Sequence, residues 1–131
     1  MRLYEFFVPL TENAREKSQK LVGLISQPPN GWQVESTNNF NKSFKKYKKD
    51  ERVLQGLLDL VEFIVNNEQA PDPRGYPVSL NVHQIVRSWD DRYSNSLTSH
   101  LKGQKIIALF RVQGKNLTLL NMGTHQDFGW K

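Results

Sequence analysis

Apolar side chains at Ala14, Leu21, Val22 and Ile25 return at helical spacing, so residues 12–26 read as an amphipathic helix that stops at Pro28-Pro29 and Gly31. Ahead of it, residues 2–8 are aromatic and β-favouring, a strand candidate ended by Pro9. Residues 32–37 form a second short strand candidate. Phe40, Phe44 and Tyr47 then share one face of a short helix whose other face carries lysines. A longer helix follows, in which Val53, Leu54, Leu57, Leu58, Val61, Ile64 and Val65 make a broad apolar stripe that closes at Asn66-Asn67. Asp50 stands between the two helices as a cap for the second. The result is a helical hairpin whose stripe must be buried against another layer.

Beyond Pro71, Pro73 and Gly75 the period changes. Residues 77–89 are β-favouring around Val82-His83-Gln84-Ile85-Val86, and residues 90–103 are polar and read as a loop. Residues 105–112 are almost continuously apolar, and 117–122 follow across Gln113-Gly114-Lys115-Asn116, which predicts a hairpin inside a sheet. Helices first and strands second predict an α+β fold, a helical hairpin on a small twisted antiparallel sheet. No repeat or low-complexity tract interrupts the 131 residues, which are one domain's worth of chain.

Charge changes the picture by its placement. Lys and Arg total 18 against 13 Asp and Glu, a formal net charge of +5. Residues 37–49 hold Lys42, Lys45, Lys46, Lys48 and Lys49 and no acid. Residues 92–126 are again free of Asp and Glu, and carry Arg92, Lys102, Lys105, Arg111 and Lys115. Such segments suit a polyanion, with nucleic acid as the leading partner. The absence of cysteine excludes disulfides, thiolate catalysis and cysteine-ligated metal centres. No apolar run has bilayer length and no secretory signal opens the chain, so neither membrane insertion nor export is expected and the expected compartment is the cytoplasm.

Chemistry therefore falls to histidines, carboxylates, hydroxyls, lysines and arginines. His83, His100 and His125 each stand where a strand meets a loop, and imidazoles from adjacent strands are able to converge on one face. Cleavage of RNA without a metal needs such a set: a base for the ribose 2′-OH, an acid for the leaving 5′-oxygen, and cations such as Lys105 and Arg111 for the phosphate. A three-histidine zinc site is the rival, but no close His pair of ligand spacing is present. Trp89, Phe128 and Trp130 offer rings on which bases stack, and Trp89 is equally a core residue.

These residues resemble the YafQ branch of the RelE superfamily of bacterial toxins. The segment FNKSFKKYKKDERVLQGLLDLVEFIVNN, residues 40–67, is similar to the family's paired helices, and VHQIVRSW, residues 82–89, keeps its His and Trp at the family's separation. SHLKGQKIIALFRV, residues 99–112, resembles the loop and strand that follow the second His, and LTLLNMGTHQDFG, residues 117–129, resembles the last strand with its Gly-Thr-His. The likeness spans residues 32–129, so residues 32–131 correspond to a toxin core and 1–31 to an added N-terminal segment.

What the resemblance implies is a RelE-like microbial RNase fold and a metal-independent endoribonuclease that cleaves mRNA on the ribosome, needs no cofactor and is paired with an antitoxin. His125 would be the principal acid or base, with His100 and His83 as partners; Phe128 would contact the nucleotide. Lys102, Lys105, Arg111, Lys45 and Lys46 would hold the RNA backbone. Where the family has acidic residues around its second His, this chain has Thr98 and Gln104, and Asp90, Asp91 and Asp127 are the nearby carboxylates. The alternatives are a non-catalytic RNA- or ribosome-binding module on the same fold, and an interaction domain that docks an acidic protein.

Overall fold

The computed structural model describes residues 11–85, 96–101 and 105–130. The strand expected at residues 2–8, Trp89, Asp90, Asp91, Lys102 and Gln104 lie outside them.

Helix α1, Glu12–Ser26, opens on Thr11, whose hydroxyl accepts from the Ala14 amide at 3.0 Å. It lies along α3, Glu51–Val65, with Ala14 and Leu21 buried, while Val22 remains 53% exposed. Asn30 and Gly31, both at positive φ, turn the chain into β1, Gln33–Ser36. Thr37 then ties two elements together. Its hydroxyl accepts from the Phe40 amide to cap α2, Asn38–Tyr47, and donates to the Leu120 carbonyl at 2.6 Å.

Asp50 caps α3 by accepting from the amides of Arg52 and Val53 at 2.9 and 3.4 Å. The breadth of the α3 stripe follows from its place between α1 and the sheet, where Leu54, Leu57, Leu60, Val61, Ile64 and Val65 have no solvent-facing side. Each contributes about 1.5–3 kcal/mol of burial relative to an exposed side chain. At its end, the Trp32 indole donates to the Asn67 carbonyl at 2.6 Å and the Asn30 amide to that of Val65 at 3.0 Å, fastening the helix to the entry of β1.

A short 3-10 turn, Val78–Leu80, leads into β2, Val82–Gln84; β3 is Leu97–His100, β4 Ile107–Gln113 and β5 Asn116–Gly123. The strand order is β1-β5-β4-β3-β2. The hairpin expected at 113–116 is present, and Gly114 adopts the left-handed backbone its turn requires. Two expectations are corrected. The sheet is antiparallel from β2 to β5, but β1 joins β5 in parallel, so the sheet is mixed. The segment read as a loop over 90–103 contains β3, whose Thr98 and Ser99 are buried. Their hydroxyls donate to the carbonyls of His83 at 3.3 Å and Leu80 at 2.6 Å, which makes a polar tetrapeptide compatible with an inner strand.

The two sheet faces differ. One meets the helices through Leu97, Ala108, Phe110, Leu117, Leu119 and Met122. Among the described residues, the other carries no helix residue in its core and has a small cluster of Ile85, Ile107, Leu109 and Phe128, with Leu120 and Trp130 at its margin. Among the described residues, no helix is long and apolar enough to cross a membrane.

Candidate active site

The three histidines meet on this second face. His83, in β2, pairs with Thr98; His100, at the end of β3, pairs with Ile107, which in turn pairs with Gly123 of β5. His125 follows two residues later in a tight turn. The His83 and His100 rings are 5.6 Å apart, centroid to centroid and nearly perpendicular at 88°. His100 and His125 are also 5.6 Å apart, at 41°. His100 is thus the middle of a row, and Trp130 extends that row beyond His125 at 6.1 Å.

Sequence explains the C-terminal turn. Gly123 lacks a side chain where the chain folds back: a Cβ there would lie 2.8 Å from Asp127 Oδ2. That carboxylate accepts from the Thr124 amide at 2.9 Å, and the Asp127 amide donates to the Thr124 hydroxyl at 3.0 Å. The Trp130 amide closes the turn on the His125 carbonyl at 2.8 Å. The amide hydrogen bond from Thr124 is the main reason that Asp127 stays ionised below the usual carboxylate range. Asp127 is committed to this turn and to the Tyr47 hydroxyl, which donates to it across 3.4 Å.

His100 is half-buried in the middle of the row. Burial lowers its pKa from the ordinary value; the Asn81 carbonyl opposes this, and His125 and His83 add to the lowering. Around neutral pH its imidazole is therefore neutral and able to accept a proton. Asn81 is a residue that sequence reading missed. Its amide oxygen is 2.7 Å from His83 Nε2, and its carbonyl faces His100 Nδ1 at 3.5 Å. Its place two residues before His83 was the available signal.

The other expected residues are distributed unevenly. Phe128, expected to contact the nucleotide, is only 4% exposed and packs on Ile85, Ile107 and Leu109. Trp130, 4.9 Å from Phe128, is the half-buried ring at the surface. Lys105 is exposed two residues before Ile107, the partner of His100. Arg111 is four residues beyond Ile107, roughly 13 Å along the strand, and donates to the Ser96 hydroxyl at 3.2 Å, so it stands apart from the imidazole row. Lys46 and Lys42 line a polar cleft of ≈ 310 Å³ between α2 and the C-terminal turn, with Ser43, Asn121 and Asp127, and Phe128 borders it as well. Lys45 is exposed on α2 outside that lining. Thr98, which stands where the resemblance expects an acid, is buried and bonded to the His83 carbonyl.

No protein-family model matches the sequence. Comparison with curated proteins also gives no match. Comparison with solved structures gives a consistent answer. The crystal structure of YafQ from E. coli strain BL21(DE3) superposes with a TM-score of 0.57 at 20% identity, over 74% of this chain and 97% of that one. The fold is that of YafQ. The E. coli DinJ-YafQ complex gives a TM-score of 0.56 at 21% identity, over 73% of this chain and 96% of the matched one. A copper-bound mutant toxin from Helicobacter pylori gives 0.50 at 20% identity, over 73% and 97%. The match thus covers nearly all of each of these chains and leaves about a quarter of this one outside it.

Proposed function

We propose that this chain is a toxin of the RelE/YafQ type, a metal-independent endoribonuclease that cuts mRNA on the ribosome by attack of the ribose 2′-OH. The observation that carries the reading is the row of three imidazoles on one sheet face, His83, His100 and His125, at successive spacings of 5.6 Å.

His100, neutral at pH 7, takes the proton of the 2′-OH. The 2′-oxygen attacks phosphorus, the P–O5′ bond breaks, and His125 gives a proton to the departing 5′-oxygen. The products are a 2′,3′-cyclic phosphate and a 5′-hydroxyl, and protons balance across the two imidazoles. His83 lies beside His100 and completes the phosphate site, where negative charge grows in the transition state. Lys105 supplies a cation at the same end of the sheet, Trp130 stacks on a base beside His125, and the Lys42 and Lys46 cleft holds flanking backbone. Lys45, Arg111 and Lys102 act as further backbone contacts.

The partners that go with this reading are mRNA, the ribosome and an antitoxin, in the cytoplasm. The antitoxin is supported by the DinJ-YafQ complex among the structures of this fold. Residues 32–131 are read as the toxin core and 1–31 as an addition that brings α1 onto α3.

The test is expression in a bacterial host of the chain and its His125→Ala variant, scoring growth and mapping RNA 5′ ends. The expected result is growth arrest with new internal mRNA ends for the parent and neither for the variant. Equal arrest by both would overturn the catalytic reading and favour a binding module.

A further inference from the structure

Asn81 occupies an unusual place. It ends the 3-10 turn with φ 46 and ψ 59, the left-handed region that asparagine tolerates better than other residues with a Cβ. Its own amide is used up, donating to the Val78 carbonyl at 3.0 Å. Two acceptors remain, and both are turned toward the histidine row. The side-chain oxygen meets His83 Nε2 at 2.7 Å, and the carbonyl receives the His100 amide at 3.4 Å and faces His100 Nδ1 at 3.5 Å.

A carbonyl oxygen accepts hydrogen bonds and cannot donate them. Each contact therefore assigns a proton. His83 carries hydrogen on Nε2 and presents Nδ1, while His100 carries hydrogen on Nδ1 and presents Nε2 with its lone pair. The two assignments are opposite, and one residue makes both. Among the described residues, no carboxylate pairs with any of the three rings, so the orienting role that a carboxylate often plays falls here to an amide and a backbone carbonyl.

We infer that Asn81 is the positioning residue of the histidine row, fixing His83 as the Nε2–H tautomer and His100 as the Nδ1–H tautomer, so that Nε2 of His100 is ready to take a proton. The inference rests on the ribonuclease reading for its catalytic meaning, but the tautomers are a property of the protein alone. Substitutions separate the two acceptors. Asn81→Gly permits the left-handed backbone and removes only the amide, whereas Asn81→Asp keeps an oxygen at the same reach.

The experiment is nitrogen-15 NMR of the imidazoles in the full chain near pH 8, with and without these substitutions. In the parent protein His100 is expected as the Nδ1–H form, the less common one for free histidine, and the His83 Nε2 proton is expected to be protected from exchange with water. Asn81→Gly should bring that proton into fast exchange and leave the His100 tautomer unchanged; Asn81→Asp should retain it. An Nε2–H tautomer at His100 in the parent, which needs no variant to observe, overturns the inference. So does a His83 signal that is the same in parent and Asn81→Gly. With RNA, Asn81→Gly should lower kcat about 10–100-fold with little change in KM. Absence of cleavage by the parent, with the NMR pattern as expected, would overturn the ribonuclease reading and leave the positioning role standing.

Discussion

The His100 and His125 rings lie 5.6 Å apart although they come from different strand ends, one closing β3 and the other following β5. What unites them is register. His100 pairs with Ile107 and Ile107 with Gly123, so two hydrogen-bonded steps across the sheet bring the Gly-Thr-His turn beside the end of β3. The site is therefore a product of the sheet more than of either loop.

That location makes stability depend on pH. Burial first, and the neighbouring imidazoles after it, lower the His100 pKa below its ordinary value of 6.5, with the Asn81 carbonyl in opposition. Above that pH the ring is neutral in folded and unfolded chains alike and contributes no slope. Below it the unfolded chain binds the proton more readily, so folding stability falls as pH drops from 6.5 until the lowered folded pKa is passed. Urea unfolding between pH 4.5 and 7.5 should show this loss in the parent, and a shallower slope in His100→Gln. Parallel pH curves for the two proteins would contradict the assignment.

Gly123 and Asp127 are coupled by space. A Cβ at position 123 would stand 2.8 Å from the Asp127 carboxylate that pins the Thr124 amide, so Gly123→Ala is expected to cost about 1–3 kcal/mol. The cost should shrink in the Asp127→Ala background, where the 2.8 Å contact with the carboxylate is gone and the approach to the Cβ at 3.1 Å remains. A double-mutant cycle by denaturant unfolding measures this, with a coupling above about 0.5 kcal/mol expected. Additive effects would show that the fold of the turn does not depend on this approach.

Phe128 and Trp130 should separate stability from binding. Phe128 is buried with Ile85, Ile107 and Leu109, and truncation to Ala is expected to cost about 3–5 kcal/mol. Trp130 is half-buried at the end of the imidazole row, and Trp130→Ala should weaken binding of single-stranded RNA by about 1–3 kcal/mol, the range for a lost base stack. Unfolding curves and fluorescence anisotropy read the two effects. The account fails here if Trp130→Ala leaves RNA affinity unchanged.

Much of this architecture is legible in the chain. The caps at Asp50 and the stop at Pro28-Pro29 are local signals, and the α3 stripe announces a helix enclosed on more than one side. Strand β3 is not legible, because Leu-Thr-Ser-His becomes an inner strand only when the carbonyls of Leu80 and His83 receive its hydroxyls. The parallel pairing of β1 with β5 is equally hidden, since its partner lies far along the chain and pairing direction leaves no period in either strand. At the site, histidine chemistry is visible in residue type. The burial of Phe128 and the service of Asn81 are not, for they depend on a folded turn and on a positive φ.

The most direct test of the central claim is cleavage of a defined RNA by the purified chain, alone and with ribosomes, with chemical analysis of the new ends. The account predicts 2′,3′-cyclic phosphate and 5′-hydroxyl termini, and a loss of about 100-fold or more in rate for His100→Ala and for His125→Ala with RNA binding retained. Cleavage at the parental rate by both variants, or products bearing a 5′-phosphate, would contradict it.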